Sequence, residues 1–286
     1  MKILFIDISM HKKNLDALLN YNINISRINH TNLDTIDLSQ FDCVYSPAVP
    51  INISKYPNTK FLFGPHFSVF PQNHQMTIIC GNNVIYIQPS KWVVDLWKNF
   101  SICSDLNLQH LPFGVDTKKF SPIKNISDRD KIFIYHKRRN PQDLIILQTF
   151  LKSLNINFRI FDYVNKYPEE EYINYLKDSK FGIWLSAHES QGFALEEALS
   201  CDVPLLVWNV TSLNQEYRSN YPDKPATTIP YWDDRCGESF TEFNDLPSVF
   251  NTFIDNLQNY KPREYILENL SIKKCSEKFI NIVNNI

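Results

Sequence analysis

FGIWLSAHESQGFALEEALSCDVPLLVWNV, residues 181–210, holds two apolar runs separated by a polar turn and a short helical pattern. FGIWLSA (181–187) and VPLLVWNV (203–210) read as buried strands, and FALEEALS between them reads as a helix. Two strands joined through a helix make a parallel pair, because a parallel connection needs a long crossover. The turn itself, HESQG, carries Glu189 and ends on Gly192, and Glu197 follows one helical turn inside the helix. Two carboxylates so spaced suit either a ligand site or a solvated helix entrance. The rest of the chain has to separate these readings.

Outward from this unit the same alternation continues. KIFIYHKRRN (131–140) reads as a strand ending in polar residues, and PQDLIILQTFLKSL as a helix with Pro141 in its first turn. NFRIFDYV (157–164) reads as a strand and EEEYINYLKDS as a helix. The first part of the chain repeats the theme. KILFIDIS (2–9), FDCVYSP (41–47), KFLFGP (60–65) and NVIYIQPS (83–90) are short apolar runs stopped by Pro, Gly or Ser. KWVVDLWKNF places Trp92, Val93, Leu96 and Trp97 at helical spacing. LPFGVDTKKFSPIKN (111–125) interrupts with prolines, a glycine and polar residues, which suits a crossing between domains. The expected architecture is α/β, with two Rossmann-like doubly wound domains. The expected boundaries are 1–118, 119–260 and a C-terminal helical segment, 261–286, whose helices pack back toward the first domain.

Composition narrows the function. The 286 residues carry a formal net charge of −2, so nothing global favours nucleic acid as the partner. The six cysteines are scattered, with no C-x-x-C pair, and read as free thiols in a reducing compartment. MKILFIDISMHKKN reads as a first strand, not a secretory leader, and no apolar run approaches the ~18 residues of a membrane span. The expected location is cytoplasmic, with peripheral membrane contact left open. The six glycines, Gly64, Gly81, Gly114, Gly182, Gly192 and Gly237, cannot build G-x-G-x-x-G or a phosphate loop of the G-x-x-x-x-G-K type. The usual dinucleotide fingerprint and the P-loop are therefore excluded.

In an open α/β sheet, ligands bind beyond the carboxyl ends of the strands, where HESQG lies. Gly192 lets the backbone turn closely, and the amides of Phe193 and Ala194 begin a helix whose dipole favours an anion such as phosphate. Glu197, one turn deeper, suits the vicinal hydroxyls of a ribose. Glu189 precedes the turn and points toward whatever the phosphate carries. Together these parts fit a nucleoside diphosphate with a sugar attached.

Glu189, seven residues, Glu197-Ala198 and the C-D-V-P turn resemble the donor-site signature of the group-1 (family 4-like) retaining glycosyltransferases of the GT-B fold. LPFGVDTKKFSP resembles that family's interdomain segment, Pro-x-Gly-Val-Asp-x-x-x-Phe-x-Pro. The likeness is strongest over residues 111–209. It implies a sugar transfer from a nucleotide-diphosphate sugar to a hydroxyl on a glycan, glycolipid or protein-linked acceptor. It further implies no cofactor and no metal, Glu197 on the donor ribose, Glu189 beside the transferred sugar, and Gly192, Phe193 and Ala194 presenting amides to the donor.

The family also brings an arginine and a lysine to the diphosphate, and here the sequence departs from its pattern. HKRRNPQD replaces the usual motif, and Lys137 and Arg139 are assigned the role because strand alternation would put them on one side. Arg138 would point away, and Glu196 would be an exposed first-turn carboxylate. His66, in FGPHFSVF (63–70), is the candidate near the donor sugar from the first domain, weighed against a structural loop histidine. Trp92, in QPSKW, reads as core. Asp233 and Asp234, in YWDDRCGE (231–238), read as rim or structure and not as a metal site. Two other functions remain open: a nucleotide-sugar-binding module without efficient catalysis, and another GT-B enzyme such as a sugar-nucleotide epimerase.

Overall fold

In the computed structural model, which describes residues 1–29 and 33–286, eleven strands form two wholly parallel sheets. The first sheet is built from β1 (Lys2–Ile6), β2 (Asn24–Ile28), β3 (Cys43–Ser46), β4 (Phe61–Phe63), β5 (Val84–Gln88) and β6 (Leu108–His110). Their order is β2-β1-β3-β4-β5-β6. The second comprises β7 (Lys131–Lys137), β8 (Arg159–Asp162), β9 (Ser179–Ser186), β10 (Leu205–Trp208) and β11 (Gly237–Phe240), ordered β8-β7-β9-β10-β11. Both sheets thus reverse direction beside their first strand, between β1 and β3 and between β7 and β9. At such a reversal the loops diverge and leave a crevice beyond the strand ends.

The chain divides into two units. Unit 1 is Met1–Gly114 with Ile272–Ile286, and unit 2 is Val115–Ser271. Unit 1 holds α1 (Lys12–Leu19), α2 (Asn73–Ile79), α3 (Lys91–Lys98) and α9 (Ile272–Asn284). Unit 2 holds α4 (Pro141–Ser153), α5 (Glu169–Lys177), α6 (Phe193–Ser200), α7 (Leu246–Asp255) and α8 (Pro262–Asn269). Of the two C-terminal helices, α9 lies in unit 1, where Phe279 meets the rings of Tyr21 and Tyr45. In contrast, α8 stays in unit 2, where Arg263 donates to the carbonyls of Thr117, Phe120 and Ser200. No helix among the described residues is long and apolar enough to cross a membrane.

The central strands β1, β3, β4, β5, β9 and β10 are buried along almost their whole length, as strands of a parallel sheet covered on both faces are. In unit 1 one layer packs Leu4, Val44, Phe61, Phe63 and Tyr86 against Met76 and Trp97. Trp92 is partly buried against this cluster, as the core reading of it required. In unit 2, Ile134, Ile183 and Leu206 meet Leu147 and Leu151 of α4 and Phe250 and Phe253 of α7. The other face is aromatic: Phe133 and Tyr135 meet Tyr172 of α5, and Tyr135 stacks on Trp184 at 4.0 Å. Burying side chains of this size contributes roughly 1.5–3 kcal/mol each. Between them, these layers fix where β7 and β9 end, and so where their loops begin.

Candidate functional site

Lys137 at the end of β7, Glu189 and Gly192 in the loop after β9, and Glu197 in α6 all lie around the reversal of the second sheet. The loop after β9 is tied down at several points. The Ala187 N–H donates to the Lys137 carbonyl at 2.8 Å, and the Glu189 N–H donates to the Thr227 carbonyl at 3.0 Å. Pro230 lies beside the turn, so a β-carbon at position 192 would sit 3.6 Å from its ring. Gly192 is in the left-handed region, at φ 83° and ψ 39°, and serves as the N-cap of α6. A glycine there allows the turn and brings no side chain of its own to the first-turn amides. Phe193 and Ala194 open α6, at the positive end of its helix dipole. From α5, the Tyr172 hydroxyl donates to the Ala194 carbonyl at 2.8 Å and fixes that first turn.

Glu189 is 7% exposed and closely held. Lys137 Nζ donates to both its oxygens, at 2.9 and 2.7 Å, and Ser186 Oγ donates to Oε1 at 2.8 Å. The ammonium also lies 4.7 Å from the centre of the Tyr163 ring, a cation–π contact. Glu197 is 2% exposed and acts electrostatically on Tyr135 and Tyr167, as does Glu189. The two carboxylates therefore border the same group of rings. Burial pushes the Tyr167 hydroxyl up to about 12, and both acids add to the shift. It stays a neutral hydrogen-bonding group.

The basic run KRR does not follow strand alternation. Lys137 shares the α5 face with Tyr135, but Arg138 adopts a positive φ of 52°, which turns the chain. Arg139 consequently swings to the α4 side and does not share a side with Lys137. It is 4% exposed, donates to the carbonyls of Ser186 and Trp208 at 3.4 and 2.9 Å, and pairs with Asp143 at 3.0 Å. Burial lowers its pKa, with Asp143 opposing that shift. In this geometry its guanidinium braces the ends of β9 and β10 and the first turn of α4. Arg138, expected to point away, pairs with Glu216 at 2.8 Å, and the other oxygen of Glu216 lies 3.5 Å from His188 Nδ1.

Glu196 also departs from its expected place. It is fully buried, not an exposed first-turn carboxylate, and Gln191 Nε2 donates to its Oε1 at 2.7 Å. The reason is α8, which packs along α6 and covers the face that a lone helix would show to water. Asp233 is held by Arg235, whose guanidinium also reaches Glu268 on α8, so this part of YWDDRCGE is structural. No group of three or more metal-binding side chains occurs among the described residues.

His66 belongs to unit 1, on the loop after β4. Its N–H donates to the Pro47 carbonyl at 2.8 Å, and its Nε2 lies 3.1 Å from the side-chain nitrogen of Asn14 on α1. Burial, helped by nearby His11, lowers its pKa to about 4. Sequence reasoning missed Ser186, Tyr163, Tyr167, Thr227 and Glu216. Tyr163 was within reach of it, because it directly follows the end of β8, the neighbour of the strand that ends in Lys137. Thr227 and Glu216 carry no local signal, since only the folded loop brings them to the site.

No protein-family model matches the sequence, and no curated protein matches it. Solved structures do. The chain is similar to a sucrose-phosphate synthase from Thermosynechococcus elongatus, with 11% identity and a TM-score of 0.60 over 99% of this chain and 98% of that one. It is similar to TarM, with 16% identity and a TM-score of 0.53 over 85% of this chain and 55% of that one. The catalytic domain of starch synthase IV from Arabidopsis thaliana, solved with ADP and acarbose, aligns at 8% identity and a TM-score of 0.54, covering 85% and 72%. These neighbours are GT-B glycosyltransferases. With its two parallel, Rossmann-like sheets, the chain has that fold.

Proposed function

We propose that unit 2 binds a nucleotide-diphosphate sugar and that the protein transfers the sugar to an acceptor hydroxyl with retention of anomeric configuration. One observation carries this reading. At the reversal of the second sheet, a left-handed glycine brings the backbone into the start of α6 with no side chain of its own there, and a buried acid sits one turn deeper. Main-chain amides at a helix start suit a diphosphate, and a carboxylate at that depth suits the adjoining ribose. Glu189 and Lys137, at the mouth of the turn, would then face the sugar and the phosphate.

Charge develops on the β-phosphate as the nucleoside diphosphate departs. The amides of Phe193 and Ala194, the helix behind them and Lys137 would stabilise that charge as it grows, which lowers the barrier. The leaving phosphate can itself accept the proton of the acceptor hydroxyl, so the reading requires no separate base. These groups stabilise the charge without a metal or cofactor, and the reaction is proposed as independent of both. Arg139 enters as a brace for the strand ends that carry Lys137 and Glu189. His66 remains a candidate in unit 1 for contact with the sugar.

A second reading, a binding module without efficient transfer, is favoured by the protein-bound state of Arg139, which withholds one cation from the phosphate. Turnover with labelled donors separates the two. The binding step common to both is tested with Glu197→Ala. Calorimetry with uridine, guanosine and adenosine diphosphates and their sugars should show wild-type binding to one set. The variant should lose roughly tenfold or more, the scale of a charge-assisted pair of hydrogen bonds. Unchanged affinity would refute the ribose role.

A further inference from the structure

The three cations of the KRR run are each already matched by a carboxylate: Lys137 by Glu189, Arg138 by Glu216 and Arg139 by Asp143. A phosphate arriving at the Gly192 turn therefore meets a neutralised lysine. The Lys137–Glu189 pair is uneven. The lysine side chain is 21% exposed and sits on a long flexible stem, whereas the glutamate side chain is 9% exposed. Glu189 is also anchored, by its N–H on Thr227 and by Ser186 on its carboxylate. Turning Lys137 outward takes only rotation about that stem, whereas moving Glu189 breaks both of these bonds.

If Lys137 turns outward, a nearly buried carboxylate gives up the ammonium bonded to both its oxygens, which is costly until other hydrogen-bond donors replace it. An ionised diphosphate offers only acceptors. A sugar attached to it offers hydroxyl donors. Resting on the donor reading above, we propose that Glu189 makes the site select the nucleotide sugar over the bare nucleoside diphosphate. Lys137 passes from Glu189 to the diphosphate only when sugar hydroxyls take its place on the carboxylate. After transfer the sugar is gone, Glu189 regains Lys137, and the nucleoside diphosphate is released. No covalent bond changes in this exchange. Glu189 thereby acts as a specificity determinant as well as a contact.

The test is Glu189→Gln, which keeps the shape and the Ser186 hydrogen bond but removes the charge. Calorimetry would compare a nucleoside diphosphate with its sugar conjugate on the wild-type and variant full-length chains, after thermal melts establish that both are folded. The wild type should prefer the conjugate. The variant should bind the bare diphosphate about tenfold more tightly and so narrow that preference. Ser186→Ala, which weakens the anchoring of the same carboxylate, should shift the ratio in the same direction and serves if the glutamine variant does not fold. Equal weakening of both ligands, or an unchanged ratio, would overturn the exchange while leaving the donor reading intact. Absence of binding by wild type and variants alike would remove the donor reading and the exchange with it.

Discussion

Gly192→Ala isolates what the left-handed turn contributes. At φ 83° and ψ 39° an L-residue is strained by about 1–2 kcal/mol, while alanine recovers about 0.4–1 kcal/mol by stiffening the unfolded chain. Packing adds little, because the new β-carbon would lie 3.6 Å from Glu189 Cβ and from Pro230 Cγ, which is ordinary contact. The net expectation is a loss of about 1 kcal/mol, or about 2–4 °C in melting temperature for a domain of this size. Gly192→Asn should lose less, since asparagine tolerates the left-handed region. Gly237→Ala supplies the contrast: at φ 133° its β-carbon would fall 2.0 Å from the Leu205 carbonyl oxygen, so β10 and β11 would have to separate. Urea denaturation of the three variants against wild type gives the measurement. If Gly192→Ala costs as much as Gly237→Ala, or if asparagine gives no relief, the start of α6 is not set by backbone conformation and the reasoning fails.

Arg139→Lys should destabilise by about 2–3 kcal/mol in equilibrium denaturation, because lysine cannot reproduce the fork that serves two buried carbonyls and Asp143. A loss of ligand binding without that loss of stability would show that Arg139 serves the ligand instead. His66 makes stability depend on pH. Its ordinary value of 6.5 is lowered to about 4 by burial, so it is neutral in both states at pH 8. Between those two values the unfolded chain takes up the proton and the folded chain does not, so stability falls with pH and levels off below about 4. Denaturation curves of His66→Gln across this range should have a shallower pH slope than wild type, and parallel slopes would contradict it.

The fold was legible because its strands are buried on both faces and so stand out as apolar runs punctuated by Pro, Gly and Ser. FALEEALS was read over the span that α6 occupies, since Gly192 marks its start unambiguously. The short edge strand β2, with its half-exposed NISRI, gave no such run and escaped notice. At the candidate site, local chemistry was readable and long-range cover was not. Glu196 looked like a solvated first-turn acid because α8, far along the chain, is what buries it. Arg139 was misplaced for a different reason. Two-residue alternation holds only while the backbone stays extended, and Arg138 ends the extended run in a left-handed conformation that sequence pattern does not announce. The division into units likewise depends on where α9 packs, and one continuous stretch of helical pattern could not reveal that α8 and α9 part company.

The chain enters unit 2 at Val115 and leaves it at Ser271, and these two residues form a parallel bridge, with the Val115 N–H on the Leu270 carbonyl at 2.9 Å. Unit 2 is therefore an insertion whose two ends are neighbours. Such a module can be cut out with a single pair of adjacent incisions, or given new termini by joining 115 to 271 with a short linker, without stretching its backbone. The half of the protein that carries the Gly192 turn thus begins and ends at one place, and expressing 115–271 by itself tests whether it folds without unit 1.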